Sequence, residues 1–443
     1  MKIVMPQHVE YIIKTLWQQG YEAYAVGGCI RDSILGKKPE DWDITTSATP
    51  EEIKKIFKRT FDTGIEHGTI TVLLDKIGYE VTTYRIDGKY EDHRHPKEVE
   101  FTRNLREDLL RRDFTINAMA YNAQEGLIDL FGGMKDLKEK KIACVGSAIK
   151  RFEEDALRIL RAVRFAAQLG FIIEEETKEA ISELTDSLQY VSAERIQVEL
   201  VKMLVSAHPE QIEEAYRLGI TKVILPEFDK MMHTEQETPH HQYNVGVHTI
   251  YALQNIEANK VLRLAILFHD MGKPKMKTID QEGIAHFKGH ALVGERITKQ
   301  VLRRLKFDND TIQTVAKLVL YHDYRIPAQA PIVRKAMNKI GVDLFPLYLM
   351  LQRADTSAKS EYLREEKILA IEQVEKLYIQ IIESKQCIVL KDLAISGKDL
   401  LEIGIPQGAR IGEILQTLLN EVLEYPERNQ KKILIQRARL FIS

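Results

Sequence analysis

Cysteine is scarce in this chain of 443 residues, where only Cys29, Cys144 and Cys387 occur. Three widely spaced cysteines exclude a disulfide scaffold, because such scaffolds need several cysteines in pairs. They also exclude a zinc module built on cysteine ligands. Unpaired cysteines in this number are typical of a reducing compartment, and we therefore expect a cytoplasmic protein.

Long apolar segments are missing as well. No stretch of the sequence reaches the roughly 18 uninterrupted apolar residues that a membrane-spanning helix needs. The beginning of the chain has neither a long apolar run nor a cleavage site of small residues, so we expect no signal peptide. The sequence therefore predicts a protein without a membrane partner.

A strong excess of either charge is absent too. The chain has 63 lysines and arginines against 65 aspartates and glutamates, which gives a net charge of −2. A protein this close to neutrality is not a histone-like coat for nucleic acid, so any polyanion must bind through a local basic patch. Hydrophobic residues make up 44% of the chain, and this content argues against extensive disorder.

The secondary-structure signals change along the chain. Residues 69–74 and 79–85 are rich in β-branched and aromatic residues and predict an antiparallel hairpin. From about residue 151 onward, apolar residues recur every three or four positions, as in amphipathic helices. We therefore expect an α+β fold that is mostly helical. Its predicted parts are a head with a mixed sheet (1–140), a helical neck (141–230), a histidine-rich domain (231–385) and a helical tail (386–443).

The segment after the first predicted strand combines glycine with arginine. Gly27 and Gly28 follow that strand and precede a predicted helix, where bare backbone N–H groups can approach a phosphate. Arg31 lies one turn into the helix, and its guanidinium can reach a phosphate oxygen. The pattern predicts a phosphate-binding turn.

Asp41 and Asp43 follow this turn and are separated by one residue. On a strand, residues two positions apart point to the same side, so we expect both carboxylates to converge. Two close carboxylates repel each other unless a cation lies between them, and Mg²⁺ prefers oxygen ligands. The pair therefore predicts a Mg²⁺ site for a nucleoside triphosphate. A solvated acidic turn is the alternative, and the upstream glycines and Arg31 argue against it.

These two motifs together resemble those of a known protein family. GGCIRD (27–32) followed by DWDI (41–44) resembles the signature of the nucleotidyltransferase superfamily that includes DNA polymerase β. The spacing is similar to that of the class II tRNA nucleotidyltransferases, which are the CCA-adding enzymes and bacterial poly(A) polymerases. The resemblance implies a polymerase-β-like head in which Asp41 and Asp43 are catalytic with Mg²⁺. It also implies tRNA, CTP and ATP as partners.

Two later segments match the same family. LRRDFTINAMA (110–120) resembles its ribose-reading segment, in which Arg112 and Asp113 would contact the nucleotide and Asn117 would support them. EEDALRILRAVRFAAQLGF (153–171) resembles its base-reading helix. The residues that would bind the incoming nucleotide are Gly28, Arg31, Arg112, Asp155, Arg158, Arg161 and Arg164.

The base-reading segment suggests how C and A are selected. On one helix, Asp155 and Arg158 would be neighbours three positions apart. Aspartate offers only acceptors and arginine only donors, whereas cytosine and adenine each present an amino donor beside a ring-nitrogen acceptor. Such a pair would accept C and A and reject U and G without a template. The alternative interpretation is an amphipathic helix with a basic solvent face.

Histidines are concentrated in the middle of the chain, with eight of the 13 between residues 233 and 322. The order of six histidines and aspartates resembles the HD phosphohydrolase superfamily. The resemblance implies that one divalent transition metal binds to His248, His269, Asp270 and Asp355. It implies a second metal on His290 and His322. Lys273 would hold a phosphate, although a vestigial metal domain is an alternative.

The resulting hypothesis is an enzyme that adds CCA to the tRNA 3′ end and carries an HD domain. The loop of residues 86–103 resembles one that switches the family from cytidine to adenosine addition, which argues against an enzyme adding only cytidine. Arg195 and Lys202 on a neck helix are candidates to meet tRNA phosphates. Alternatives are an enzyme that adds only A, a poly(A) polymerase, an enzyme whose main activity is HD phosphohydrolysis, and an inactive RNA-binding protein.

Overall fold

The computed structural model describes residues 2–87 and 99–441, so most of the predicted loop at 86–103 lies outside the described residues. The chain forms two compact units, Met1–Pro226 and Glu227–Ser443. The finer division into head, neck, histidine-rich domain and tail stays a prediction. Within the described residues, no helix has both the length and the apolar character needed to cross a bilayer.

The first unit mixes strands and helices. Its strands are β1 (Ala23–Val26), β2 (Asp43–Thr46), β3 (Thr60–Gly64), β4 (Thr69–Leu74), β5 (Ile77–Thr83), β6 (Arg85–Asp87), β7 (Val99–Phe101), β8 (Met119–Asn122), β9 (Gly126–Asp129), β10 (Lys141–Ile142) and β11 (Ile172–Ile173). Its helices are α1 (Gln7–Gln18), α2 (Gly28–Ile34), α3 (Pro50–Ile56), α4 (Leu105–Leu110), α5 (Gly133–Glu139), α6 (Ala148–Glu154), α7 (Leu157–Leu169), α8 (Glu175–Leu184), α9 (Ala193–Leu204), α10 (Ile212–Arg217) and α11 (Ile220–Ile224).

A seven-stranded mixed sheet forms the centre of the first unit, in the strand order β3-β4-β5-β2-β1-β8-β9. All neighbouring strands are antiparallel except β2 and β5, which are parallel. The predicted hairpin is confirmed as β4 and β5. Tyr24, Val26 and Tyr84 pack with Leu105 and Leu109 in a buried cluster that fixes α4 against the sheet. The α+β, mostly helical prediction is therefore confirmed.

Helix α3 shows how local sequence sets an element boundary. Thr49 caps the helix: its side chain accepts a hydrogen bond from the N–H of Glu52, and the Glu52 carboxylate accepts one from the N–H of Thr49. Pro50 occupies the first helical position, where a missing N–H costs nothing. This capping box fixes the N-terminus of α3, where the loop from β2 ends.

Two local predictions are wrong. Asp41 is not on a strand, because β2 begins only at Asp43. The segment predicted as one helix from residue 153 is broken at Asp155, which is extended (φ −142°, ψ 102°). The physical reason is local capping: the Asp155 carboxylate accepts the N–H of Leu157 at 3.1 Å, which ends α6 and starts α7.

The second unit is almost entirely helical. Its helices are α12 (Pro226–Met232), which begins at the boundary, α13 (Val245–Gln254), α14 (Lys260–Phe268), α15 (Lys273–Met276), α16 (His290–Arg304), α17 (Asn309–Tyr321), α18 (Ala330–Ile340), α19 (Phe345–Ser357), α20 (Arg364–Glu383), α21 (Gly397–Glu402), α22 (Ala409–Glu424) and α23 (Lys431–Arg439). A short hairpin of β12 (Thr278–Ile279) and β13 (Ala285–His286) is its only sheet among the described residues. Helix α14 is buried on all sides and ends directly before His269.

Gly272 lets two backbones in this unit approach closely. A Cβ atom at Gly272 would lie 2.0 Å from the carbonyl oxygen of His290 and 2.7 Å from the backbone N of Gly294. Only a residue without a side chain fits there. The first turn of α16, which carries His290, can therefore lie against the turn that follows His269 and Asp270.

Candidate functional site

The turn between β1 and α2 forms the first part of the candidate site. Gly27 has φ +83°, a conformation that residues with side chains rarely adopt. A Cβ atom there would lie 3.3 Å from Nη1 of Arg112, so the glycine also makes room for that guanidinium. Val26, the residue before the turn, pairs with Asp43 across β1 and β2. The sheet register thus brings Asp43 to the glycine turn.

Asp41 and Asp43 line one open cavity of about 490 Å³. Partial removal of the Asp43 carboxyl from water raises its pKa, Arg112 opposes this rise, and the charge of Asp41 adds to it. Arg112 forms its own ion pair with Asp108, at 3.4 Å. Two carboxylates that repel each other beside an open cavity fit a divalent cation, since hard cations prefer oxygen ligands.

A chain of buried hydrogen bonds links α2 to α7. Arg31 donates to the side-chain carbonyl of Asn117 at 2.7 Å, and Asn117 donates to Asp113 at 3.2 Å. Arg161 on α7 donates to the other carboxylate oxygen of Asp113 at 2.8 Å. Burial alone would raise the pKa of Asp113, but Arg161 outweighs it and holds that pKa at about 2. Asp113 is therefore a fixed anion that orients Arg161, and both of its carboxylate oxygens are engaged.

Three arginines surround the ring of Phe165. The guanidinium of Arg164 lies 3.5 Å from the ring centroid, that of Arg31 lies 5.1 Å away and that of Arg161 lies 5.4 Å away. Arg164 also forms a buried ion pair with Glu199 on α9, at 2.8 Å. Cations brought this close favour an anionic ligand between them. The structure thus brings together three predicted nucleotide-binding arginines. Arg31 and Arg164 are buried and Arg161 is partly buried, which contradicts a plain basic solvent face.

Asp155 and Arg158 have partners other than each other. Asp155 forms an ion pair with Arg195 on α9 at 2.7 Å, and Arg158 forms one with Glu154 at 2.6 Å. Arg158 also donates to the backbone carbonyls of Arg151 and Arg111. Each side chain is thus held by its own framework. The sequence interpretation gave Arg195 to tRNA phosphates and overlooked Glu199, because contacts between helices leave no local spacing signal.

The second unit brings four histidine rings together. Nδ1 of His269, His290 and His322 donates to the backbone carbonyl three positions earlier, at 2.7, 2.8 and 2.6 Å. These contacts direct the Nε2 atom of each ring toward the centre of the cluster. Nε2 of His269 lies 3.4 Å from Nε2 of His248, and Nε2 of His290 lies 3.0 Å from Nε2 of His322. Imidazole nitrogens this close to one another are typical of ligands that share a divalent metal ion.

Asp270 lies between the two pairs of histidines. Its Oδ2 is 3.1 Å from Nε2 of His269, and its Oδ1 is 3.4 Å from Nε2 of His322 and 3.5 Å from that of His290. Two groups with metal-ligand geometry, His248–His269–Asp270 and Asp270–His290–His322, share this residue. Asp355 lies 2.9 Å from Nε2 of His248. The six predicted ligands therefore form one cluster, and Asp270 belongs to both groups rather than to one.

Two buried lysines flank this cluster. Nζ of Lys273 is 2.7 Å from Oδ2 of Asp270, although that oxygen accepts no hydrogen bond of good geometry. Nζ of Lys359, one helical turn after Asp355, is 2.5 Å from its carboxylate. Both lysines line the same cavity of about 470 Å³. Sequence reasoning proposed Lys273 and overlooked Lys359, which the spacing of four residues after Asp355 would have indicated.

Comparisons with known proteins agree along most of the chain. The "Poly A polymerase head domain" family matches residues 23–143, the "Probable RNA and SrmB- binding site of polymerase A" family matches 170–232, and a family described as tRNA nucleotidyltransferase domain 2 matches 281–438. A curated CCA-adding enzyme of Lactococcus lactis subsp. cremoris is 35% identical over 434 residues, which cover 95% of this chain and 92% of the relative.

Two further relatives extend this agreement. A CCA-adding enzyme of Levilactobacillus brevis is 36% identical over 426 residues and covers 96% of this chain and 95% of its own length. The crystal structure of the Bacillus stearothermophilus CCA-adding enzyme in complex with CTP matches with a TM-score of 0.71 and 28% identity, over 99% of each chain. The similarity therefore includes both units and not the sheet-bearing head alone.

The buried Arg164–Glu199 pair provides a test of the framework around Phe165. Glu199→Ala leaves a buried guanidinium unpaired, so we expect the free energy of unfolding to fall by about 3 kcal/mol. Urea denaturation followed by circular dichroism measures the change. The matched control is Glu213→Ala, which removes the exposed partner of Arg217 and should cost less than about 1 kcal/mol. Equal effects of the two substitutions would contradict the buried framework.

Proposed function

Because the chain belongs to the family of CCA-adding enzymes, we propose that Asp41 and Asp43 are the residues that carry its nucleotidyl transfer. The enzyme is a tRNA nucleotidyltransferase that adds C, C and A to the tRNA 3′ end from CTP and ATP without a nucleic-acid template. The reaction uses a divalent metal ion. The observation that supports this assignment most strongly is the register of Val26 with Asp43, because Val26 directly precedes the glycine turn.

Magnesium is the ion we propose for Asp41 and Asp43, since both offer only carboxylate oxygens. When bound, it lowers the pKa of the tRNA 3′ hydroxyl and neutralises charge that develops at the α-phosphate. The 3′ oxygen attacks the α-phosphorus of CTP or ATP, and pyrophosphate leaves. The N–H groups of the Gly28 turn and the guanidinium of Arg31 bind and orient the triphosphate.

The arginines of α7 and the 111–117 segment complete the nucleotide site in this proposal. Arg112, beside Gly27, contacts the sugar and phosphates. Arg161 and Arg164 are held by Asp113 and Glu199 and contribute positive charge for the triphosphate. Because these carboxylates fix the guanidiniums before substrate arrives, the site needs little reorganisation when a nucleotide binds.

Asp155 and Arg158 read the base edge in this proposal. Asp155 accepts the amino group of C or A, and Arg158 donates to the ring nitrogen. Arg195 and Glu154 hold the two side chains at the break between α6 and α7. Recognition of tRNA rests on acceptor-stem shape, because A-form RNA exposes little base information to side chains. We also place the enzyme in the cytoplasm, where its three buried cysteines stay reduced.

Substitution of the acidic pair tests the catalytic assignment. Asp43→Ala should abolish incorporation of labelled CTP and ATP into tRNA that lacks CCA, because one metal-binding carboxylate is lost. His269→Ala, in the second unit, should leave incorporation unchanged and serves as the matched control. Wild-type incorporation by the Asp43 variant would refute the assignment. Unfolding curves of both variants separate lost chemistry from lost structure.

Arg195 provides a separate test of base selection. Arg195→Ala removes the ion pair of Asp155 without touching the triphosphate, so we expect UTP and GTP incorporation to rise relative to CTP and ATP by about tenfold, the factor that one lost ionic hydrogen bond gives. Competition between labelled nucleotides on tRNA ending in CC measures the ratio. Lys202→Ala, on the same helix, is the control. A uniform fall of all four rates would instead indicate a general structural role.

For the second unit we propose a phosphohydrolase centre that binds two divalent transition metals. His248, His269, Asp270 and Asp355 would hold one ion, and Asp270, His290 and His322 the other. Bound metals would supply an activated water molecule. Lys273 lies at the same cavity and would hold a phosphate of the substrate. The inward-facing Nε2 atoms and the shared Asp270 support this proposal, which adds a hydrolytic activity to nucleotide addition.

Metal analysis tests the second centre. Metal-free protein titrated with Mn²⁺ should bind two ions that Asp43→Ala retains and that Asp270→Ala loses together, because Asp270 serves both groups. The same samples are assayed for hydrolysis of p-nitrophenyl phosphate and of 2′,3′-cyclic AMP. Failure to bind Mn²⁺ or Co²⁺ in the second unit would show a vestigial domain. Binding that survives Asp270→Ala would contradict the bridging arrangement.

A further inference from the structure

The second unit contains a further cavity, separate from the one that the histidine cluster lines. It has a volume of about 290 Å³ and is enclosed by α19, α20 and residues 325–327, which follow α17. Most of its wall is apolar and comes from Ile326, Pro327, Leu349, Ile371 and Val374. This volume is at the lower end of the range for small-molecule sites, which combine apolar walls with a few polar groups.

Two positively charged side chains, Lys367 and Arg325, line this cavity, and among the described residues neither has a carboxylate partner closer than 3.6 Å. Nζ of Lys367 on α20 has neutral hydrogen-bond partners, Nδ1 of His240 at 3.1 Å and the backbone carbonyl of Tyr362 at 3.5 Å. Arg325 has only an exposed ion pair with Asp323, at 3.6 Å. Burial first, and then the charges of Lys359 and Arg325, lower the pKa of Lys367. An anion bound between Lys367 and Arg325 would relieve this repulsion.

Contacts connect the walls of this cavity with the histidine cluster. Gln352 lines the cavity, is almost fully buried, and donates its amide N–H to the backbone carbonyl of His322. Thr356, another wall residue, directly follows Asp355. His240, the partner of Lys367, lines the cavity of the histidine cluster. A ligand that moves Lys367 or Gln352 therefore acts on groups that touch the cluster.

We propose that this second cavity binds a nucleoside monophosphate. Lys367 and Arg325 take the phosphate, the apolar walls take the flat base, and the amide of Gln352 offers a donor and an acceptor to the base edge. The site is separate from the nucleotide site of the first unit. Binding itself does not depend on the proposed metal centre. Only its influence on the histidine cluster rests on that proposed function.

Calorimetric titration of AMP into the full-length protein tests the binding site. An Arg112→Ala background removes the competing nucleotide site of the first unit. We expect Lys367→Met to weaken AMP binding about tenfold or more, as for a lost hydrogen bond to a charged group. Ala370→Trp, which places a large ring into the cavity from an exposed wall position, should abolish binding. Lys376→Met, also exposed on α20, is the matched control and should change nothing.

The outcomes separate the possible ligands and the two proposals. Equal affinity for adenosine would overturn the phosphate contact, equal affinity for benzoate would overturn the nucleoside assignment, and AMP binding unaffected by Lys367→Met would overturn the site. In protein loaded with Co²⁺, AMP should shift the visible spectrum of the metal, and Lys367→Met should remove the shift. An unchanged spectrum would overturn the influence on the cluster. If Co²⁺ does not bind, the metal proposal fails. The calorimetric titration still shows whether the second cavity binds AMP.

Discussion

The hydrogen bonds and ion pair of the buried Asp113 carboxylate are the interactions on which the proposed nucleotide site depends. This carboxylate accepts from Arg161 on α7 and from Asn117, which in turn accepts from Arg31 on α2. Arg31 also pairs with Asp32 at 2.8 Å, so two carboxylates together orient guanidiniums from α2 and α7 around the ring of Phe165. Uncompensated, these guanidiniums would repel one another. Paired, they keep N–H donors that the proposed triphosphate contacts would use.

The second unit uses the opposite arrangement of charge. Four imidazole rings direct their Nε2 atoms toward one another and toward Asp270, and each Nδ1 lies against a backbone carbonyl. Here the folded chain supplies nitrogen and oxygen ligands that suit a cation, whereas the proposed nucleotide site supplies N–H groups that suit an anion. Close packing at Gly272 makes this arrangement possible, because a side chain at that position would push α16 and His290 away from Asp270.

The sequence predicted the chemistry of both sites better than their geometry. The acidic pair was assigned to one strand face, yet Asp41 precedes the strand, which begins at Asp43. Asp155 was assigned to a helix, yet its carboxylate caps the next helix instead. The error at Asp155 has a physical cause, since polar side chains near helix ends compete with the backbone for hydrogen bonds. Periodicity carries no information about that competition.

What the sequence alone determined was the set of functional residue types, their order, and the family to which they point, because these depend on chemical identity and spacing. The tertiary structure decided which partner each charged group has. Arg195 pairs with Asp155, Glu199 with Arg164 and Lys359 with Asp355. The first two pairs join segments that are far apart in the sequence, and the energy of such a contact depends on distance and burial that no local pattern encodes. Burial in three dimensions also decided against the alternative of a plain basic solvent face on α7, because Arg158 and Arg164 are buried there.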